Sequence, residues 1–255
     1  MSSHNGLLIV NADDLGRTAG ESDAAIACWR AGGISSATHM VWMTDSDRAA
    51  ALAREAGLPT GLHLNLVEPY SASNVPPDVR AWQAAVAAHY GRGGSRIRAH
   101  VYDPRLRRPV ERVIADQLAR YRELYGAEPT HVDGHHHSHL IPTALMSSAL
   151  PRGLRARRAF TFLGDERPAP SRAVRRVRNA LIARRFHTTD WLFDLSELHP
   201  RLGGTRLEDK LELARSASVE VMAHPGIRDE CELLVSEDWS RAVAGLRQGS
   251  FSALA

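Results

Sequence analysis

Short apolar runs alternate with longer amphipathic stretches along most of the chain. Residues 7–10 have the continuous apolar character of a buried strand, and the alternating segment 60–66 predicts another. Between such strands the apolar residues recur at helical spacing. Thr18 and Glu21 form a capping box at the start of one helix, and Pro109 begins another. This alternation predicts an α/β fold with parallel strands, either a closed or partly closed (β/α) barrel or an open doubly wound sheet. The length of 255 residues favours the barrel.

Glycine, proline or a capping residue separates most of the predicted elements. Further strands are expected at 34–42, 130–133 and 219–223, and further helices at 45–56, 109–124 and after the caps Thr205 and Ser236. Residues 67–107 lack clear periodicity apart from a helix near 81–89, and the arginine-rich segment 150–200 does not divide clearly into elements. We expect such long irregular segments to form lids or the walls of a substrate site.

Composition restricts the class of protein. With 44% hydrophobic and 24% charged residues, the chain is typical of a globular protein. Apolar stretches fall short of the roughly 18–20 residues of a membrane helix, and no secretory signal is recognisable, so a cytoplasmic location is expected. Cys28 and Cys231 are the only cysteines, which excludes a disulfide scaffold and a zinc site built from cysteines.

Arginines are concentrated at 152–158 and 172–185, although the net charge is only +3. Five apolar residues within or directly after the second stretch fall on one helical face: Val174, Val177, Leu181, Ile182 and Phe186. We expect this face to be buried and the arginines to lie on solvated helix faces. We favour this interpretation over the alternative that the chain is a protein that binds nucleic acid through these arginines.

Histidine is unusually frequent, with 13 in the chain and five between 131 and 139. Imidazole is the commonest metal ligand and titrates near neutral pH, which indicates metal or acid–base chemistry. In an extended chain, alternate residues of this tract would project to one side: His131, Asp133, His135, His137 and His139. Gly134 permits a bend within it.

Candidate reactive residues follow four predicted strands. Asp13 and Asp14 end the first strand, His63 lies near the end of another, and His135 and His224 each follow one. Function gathers at the carboxyl ends of parallel strands. One carboxylate and two imidazoles can hold a divalent ion with open positions. A second carboxylate and a third imidazole remain as base and acid.

These motifs resemble one known family. Asn-Ala-Asp-Asp-Leu-Gly, Gly-Leu-His-Leu-Asn, Thr-His-Val-Asp-Gly-His-His-His-Ser-His and Val-Met-Ala-His-Pro-Gly occur in the order found in the YdjC-like carbohydrate deacetylases. That group includes chitooligosaccharide deacetylases and proteins associated with hopanoid biosynthesis. The resemblance extends over residues 7–226 but is weak at 70–107 and 150–200. Leu15 departs from the family, which more often has Phe at this position.

The resemblance implies a single barrel-like domain over 1–255 that removes an N-acetyl group from an amino sugar of an oligosaccharide or glycolipid. It implies one divalent metal ion, Mg²⁺ or Zn²⁺, held by Asp14, His63 and His135. Asp13 would be the general base and His224 the general acid. Residues that contact substrate or support these groups would be Asn65, Asp133, His137 and His139.

The sequence leaves several alternatives open. Another single-metal amidohydrolase or a phosphoesterase would also use a histidine-rich barrel rim, and a non-catalytic relative would only bind sugar or metal. The segments that shape the substrate site match the family least, so the resemblance does not identify the acetylated substrate. The resemblance also makes a homodimer plausible.

Overall fold

A computed structural model of the protein describes residues 6–91, 101–163, 166–202 and 204–254. Its six strands are parallel and lie in the order β4-β3-β2-β1-β6-β5. Their bounds are β1 Leu7–Leu15, β2 Ser36–His39, β3 Thr60–Leu64, β4 Val132–Gly134, β5 Trp191–Asp194 and β6 Ser218–Ala223. The carboxyl ends of all six strands therefore lie at one edge of the sheet.

Helices connect the strands and cover the outside of the sheet. Their bounds are α1 Ala19–Arg30, α2 Ser46–Ala56, α3 Pro77–Tyr90, α4 Arg107–Tyr125, α5 Pro142–Leu145, α6 Ala169–Ala183, α7 Leu195–Leu198, α8 Leu207–Glu212, α9 Arg228–Leu234 and α10 Glu237–Ala242. Two predicted caps are confirmed: the Thr18 hydroxyl accepts the backbone N–H of Glu21, and the Ser236 hydroxyl accepts that of Trp239. The predicted cap at Thr205 is wrong, because Arg206 precedes α8 with a left-handed backbone.

The sheet curls into a half-barrel whose open side is partly bridged by an irregular segment, 154–161. The backbone of Val132 in β4 exchanges two hydrogen bonds with residues 155 and 157, and Thr161 donates to the carbonyl of Leu192 in β5. The central strand β1 is buried along its whole length. The prediction of a parallel α/β barrel-like fold is thus confirmed in its partly closed form.

Helix α6 does not pack as its pattern predicts. Val174, Val177 and Leu181 are 68%, 62% and 58% exposed, so the prediction that they are buried is wrong. The cause is a polar contact: the side-chain amide of Asn179 accepts from the backbone N–H of Ala159 and donates to its carbonyl. This pair fixes the rotation of the helix and turns the three apolar residues outward.

Among the described residues, no helix has both the length and the apolar character needed to cross a membrane.

Candidate active site

The end of β1 directs its two neighbouring carboxylates to different partners. A bulge interrupts the pairing with β2 here, and Asp14 has a left-handed backbone with φ of 65°, which aspartate tolerates better than most residues. Asp13 contacts Arg157, whereas Asp14 contacts His63 and His135. Adjacent residues thus serve separate parts of one site.

Asp14, His63 and His135 meet at the carboxyl ends of β1, β3 and β4. Asp14 Oδ1 lies 3.2 Å from His63 Nε2 and 2.8 Å from His135 Nδ1. One ligand atom of each residue lies within 4.8 Å of the other two, and all three residues are buried. A carboxylate and two imidazoles at this spacing fit a divalent cation.

The remaining ring nitrogens of the two histidines face carboxylates. His63 Nδ1 is 2.7 Å from Asp133 Oδ1, within hydrogen-bonding geometry. His135 Nε2 is 3.1 Å from Glu68 Oε2, near enough for an ion pair but not aligned for a hydrogen bond. Carboxylates in these positions orient histidines that bind metals. The surroundings of the imidazoles therefore also fit a metal centre.

A fully buried arginine joins the acidic groups beneath this cluster. Arg157 donates to both carboxylate oxygens of Asp13, at 2.6 and 2.7 Å, and its Nε donates to Glu220 at 2.6 Å. Its Nη1 also lies 2.9 Å from Asp133 Oδ2. The expectation that the arginines lie on solvated helix faces is wrong for Arg157, because these three carboxylates compensate its burial.

The same network sets the charge states of the site. Burial alone would raise the pKa of Asp13, but the Arg157 guanidinium holds it well below its usual range. Burial would likewise raise the pKa of Asp14, but the hydrogen bonds to His135 and His63 hold it low. Burial would lower the pKa of His63, which Asp133 and Asp13 instead raise to about 10. Both aspartates are therefore ionised at neutral pH, and a cation bound at the site would take the place of the proton on His63.

A second possible ligand group, Asp13 with His63 and Asp133, shares His63 with the first. The Arg157 guanidinium contacts both carboxylates of this second group, so it already supplies their counter-charge. A metal ion placed there would be repelled by the arginine. Within the described parts of the chain, the geometry therefore favours one cation position over two.

A cleft of about 360 Å³ opens over the cluster and brings in His224 from the end of β6. The His224 side chain is 31% exposed, and Glu230 of α9 stands behind it. Glu230 accepts the backbone N–H of His224 at 2.6 Å, and its other oxygen lies 4.0 Å from Nδ1. Burial raises the pKa of Glu230 to about 7. His224 thus faces the carboxylates across the cleft.

The histidine tract alternates only as far as Gly134. Residues His135–Leu140 form a 3-10 helix with a kink at His136 and His137, whose backbones are left-handed, so the alternation expected of an extended chain ends at the bend that Gly134 permits. The Ser138 hydroxyl fixes this turn by donating to the carbonyl of Leu64 in β3.

The other histidines of the tract have separate environments. His131 is buried and stacks on Phe251, with ring centroids 3.7 Å apart. His137 lines the cleft and meets the ring of Phe160 edge-on at 4.8 Å. His139 Nε2 lies 3.1 Å from the carbonyl of Arg157, away from the cleft.

Asn65 organises the turn that follows β3. Its Oδ1 accepts the backbone N–H groups of Val67 and Glu68, and its Nδ2 donates to the carbonyl of Glu68. The Glu68 side chain is held in turn by Arg17, with Nη2 at 3.1 Å from Oε2. The structure therefore places Asn65 behind Glu68 rather than on the wall of the cleft.

Sequence reasoning missed Arg157, Glu68 and Glu230. Arg157 lies among other arginines and nothing in the local pattern distinguishes it. Glu68 begins a segment without periodicity. Glu230 has the one available signal, because it follows the His-Pro-Gly turn at the start of a short helix and could fold back toward His224.

Known proteins match the chain over nearly its whole length. The chain is 32% identical to a carbohydrate deacetylase of Mus musculus, across 86% of this chain and 77% of that protein. It is 30% identical to a chitooligosaccharide deacetylase of Escherichia fergusonii, across 96% and 98%. Its fold is similar to a crystal structure of a proposed cellobiose-phosphate cleavage protein from Enterococcus faecalis V583, with a TM-score of 0.66, 19% identity and coverage of 98% and 99%. The profile of the YdjC-like protein family matches residues 7–254, and the chain belongs to that family.

Proposed function

We propose that this chain is a carbohydrate N-deacetylase, a hydrolase that removes the N-acetyl group of an amino sugar. The observation that carries the proposal is the junction of Asp14, His63 and His135 beside Asp13, in one cleft with His224. This arrangement combines a cation site, a proton acceptor and a proton donor, which amide hydrolysis requires. The names of the relatives support the same reaction.

In this proposal Asp14, His63 and His135 hold one divalent ion. When bound, the ion would act as a Lewis acid that polarises the amide carbonyl and makes water more acidic. Two imidazoles with one carboxylate suit Zn²⁺, whereas Mg²⁺ would need several additional oxygen ligands. We therefore propose Zn²⁺ as the first ion to assay and Mg²⁺ as the second.

Asp13 is the proposed proton acceptor. Its carboxylate remains ionised over the working pH range because Arg157 lowers its pKa. The bidentate contact with Arg157 also fixes the plane of the carboxylate, at the expense of some basicity. Asp13 would take the proton of the attacking water as the C–O bond forms.

His224 is the proposed proton donor to the departing amine. Its partial exposure in the cleft lets it reach a bound substrate, and the Glu230 carboxyl behind it restricts its position. When the C–N bond breaks, the amine takes the imidazolium proton and leaves as a neutral amino sugar, while acetate is the second product.

The substrate proposed is an N-acetylated oligosaccharide of the chitooligosaccharide type, as the name of one relative suggests. A cleft of about 360 Å³ has room for an acetylated sugar ring, and the exposed side chain of Ile227 at its wall offers an apolar surface. A homodimer, a cytoplasmic location and the absence of a nucleic-acid partner stay predictions.

The test is release of acetate from chitooligosaccharides after loading with Zn²⁺ or Mg²⁺. Asp13→Asn should keep bound metal and lose about 10²–10⁴-fold in kcat, the range typical of a lost general base. Asp14→Asn should lose metal as well as activity, and Asp23→Asn on exposed α1 should change neither. Full kcat in Asp13→Asn would refute the assigned base. Absence of acetate release from every N-acetylated sugar by the metal-loaded wild type would refute the reaction.

A further inference from the structure

A second cavity, separate from the cleft, lies on the outside of the half-barrel where α6 covers the segment 158–162. Its volume is about 340 Å³. Four arginines line it, one from the irregular segment and three from α6: Arg158, Arg172, Arg175 and Arg176. We name these residues the arginine pocket. Nothing in the proposed deacetylation uses it.

Among its described residues, the arginine pocket sets four guanidinium groups against a single carboxylate. That carboxylate belongs to Asp190, whose Oδ2 also accepts the backbone N–H and the hydroxyl of Ser218, at 2.9 and 2.7 Å. Over the described ranges of the chain, Arg172, Arg175 and Arg176 form no ion pair. A cluster of like charges with so little counter-charge is unfavourable unless an anion binds there.

Two guanidinium nitrogens of the arginine pocket are also left without acceptors. Nε of Arg158 and Nε of Arg172 are buried, and no described residue accepts a hydrogen bond from either. Arg158 donates through Nη1 to the carbonyls of Thr189 and Asp190, which holds the guanidinium in place. Buried donors normally have partners, so these nitrogens indicate a missing acceptor.

Three aromatic residues also line the arginine pocket. Phe160, Phe162 and Trp191 form part of the wall, and the Arg175 guanidinium lies 5.7 Å from the centroid of the Phe162 ring. A volume of about 340 Å³ exceeds what a simple inorganic anion needs. The arginine pocket therefore suits a ligand that carries an anionic group on a body about the size of a sugar ring.

We propose that the arginine pocket binds a phosphorylated small molecule of about the size of a sugar monophosphate. Guanidinium groups match the oxygen geometry of phosphate, and a dianion neutralises four arginines better than a carboxylate does. Phe160 connects the two cavities, because its ring also contacts His137 on the wall of the cleft. The site is distinct from the proposed catalytic residues and does not depend on deacetylation.

The test is calorimetric titration of the full chain with glucose 6-phosphate, glucose and inorganic phosphate, none of which carries an acetyl group. Glucose 6-phosphate should bind at least tenfold more tightly than glucose, with an affinity that falls as salt increases. It should also bind more tightly than inorganic phosphate, because phosphate alone leaves the aromatic wall unused. Equal affinities for the two phosphates would overturn the inference of a sugar-sized ligand.

Variants locate the binding. Arg172→Gln combined with Arg176→Gln should reduce the affinity for glucose 6-phosphate at least tenfold. Arg184→Gln, at the exposed end of the same helix and outside the pocket, should leave it unchanged. Both variants should keep the wild-type melting temperature. Absence of saturable binding, or equal affinity in the double variant, would overturn the proposal.

Duplex DNA provides a further test of the same variants. If the chain binds DNA, and Arg184→Gln weakens this binding as much as the double variant does, the arginines form a nucleic-acid surface and the proposal is overturned.

Discussion

Single residues of the site depend on carboxylates that the chain supplies from distant positions. Glu68 illustrates this: it follows β3, yet its carboxylate lies between Arg17 and His135 Nε2, at 3.1 Å from each. The negative charge favours an orientation in which Nδ1 of His135 faces Asp14. Glu68 is therefore a positioning residue for the cation site.

We expect Glu68→Gln to weaken metal binding about 10–100-fold, the usual effect of removing a carboxylate behind a ligating histidine. The affinity would be measured by competition with a chromogenic zinc chelator, a readout that does not require turnover. Glutamine keeps the size of the side chain, so a change would report the charge.

Glu21→Gln is the matched control. Glu21 also binds Arg17, at 2.8 Å, but it belongs to the capping box of α1, where glutamine is equally suitable. Its metal affinity should equal that of the wild type. If Glu68→Gln bound zinc as tightly as this control, Glu68 would have no role in positioning His135.

Among elements, β3, β4 and the 3-10 helix that follows β4 meet closely at the site. A Cβ atom on Gly134 would lie 2.8 Å from the backbone nitrogen of His139 and 3.0 Å from the carbonyl oxygen of Leu64. Both are backbone atoms, which cannot rotate away. Only glycine lets β4 end against β3 and then turn at once into the 3-10 helix that carries His135.

Gly134→Ala should therefore destabilise the fold by roughly 1–3 kcal/mol, as overpacking of a tight contact usually does, and should also lower metal affinity because His135 moves. Urea unfolding and the chelator competition would measure the two effects. Gly126→Ala is a useful contrast: it is strained by a positive φ of 64°, but the new Cβ would meet no described atom within 4 Å. Gly126 ends α4 and so precedes the amino end of β4, whereas the ligands lie at the carboxyl ends of the strands. It should lose stability while keeping metal affinity, and a Gly134→Ala protein with unchanged stability would contradict the packing argument.

The elements also show which parts of the fold the sequence can predict. β1, β3 and β6 were predictable because fully buried parallel strands have continuous or alternating apolar patterns. Their carboxyl ends then placed Asp14, His63 and His224 at a common edge. The orientation of α6 was not predictable, because a hydrogen-bonded pair between Asn179 and the backbone of Ala159 overrides its apolar face.

Over the whole molecule, charge is strongly separated. The net charge is +3, yet the deepest part of the cleft collects carboxylates, while arginines that pair with no described carboxylate lie on the outside at α6. The amino-acid composition gives only the net charge, so it reveals neither the acidic cleft nor the arginines at α6. Arg157 could not be recognised from sequence for the same reason, since burial among three carboxylates is a property of the folded chain.

Buried histidines should make the folded molecule sensitive to acid. His39 is fully buried under the end of β1, and this burial, only partly opposed by Asp47, lowers its pKa to about 3. In the unfolded chain the pKa is near 6.5, so between these values the unfolded state binds the additional proton. The stabilisation is complete above pH 6.5 and is lost as pH falls toward 3.

For His39 alone we expect a loss of about 2 kcal/mol in the free energy of unfolding between pH 7 and pH 5. Urea unfolding of wild type, His39→Gln and His187→Gln at both pH values would measure it. His39→Gln removes the titrating group, so its loss over this interval should be smaller than that of the wild type by about this amount, whatever its absolute stability. His187 is exposed, and His187→Gln should follow the wild type. Equal losses in wild type and His39→Gln would mean that His39 does not take up its proton on unfolding, and that the acid sensitivity arises from other buried groups.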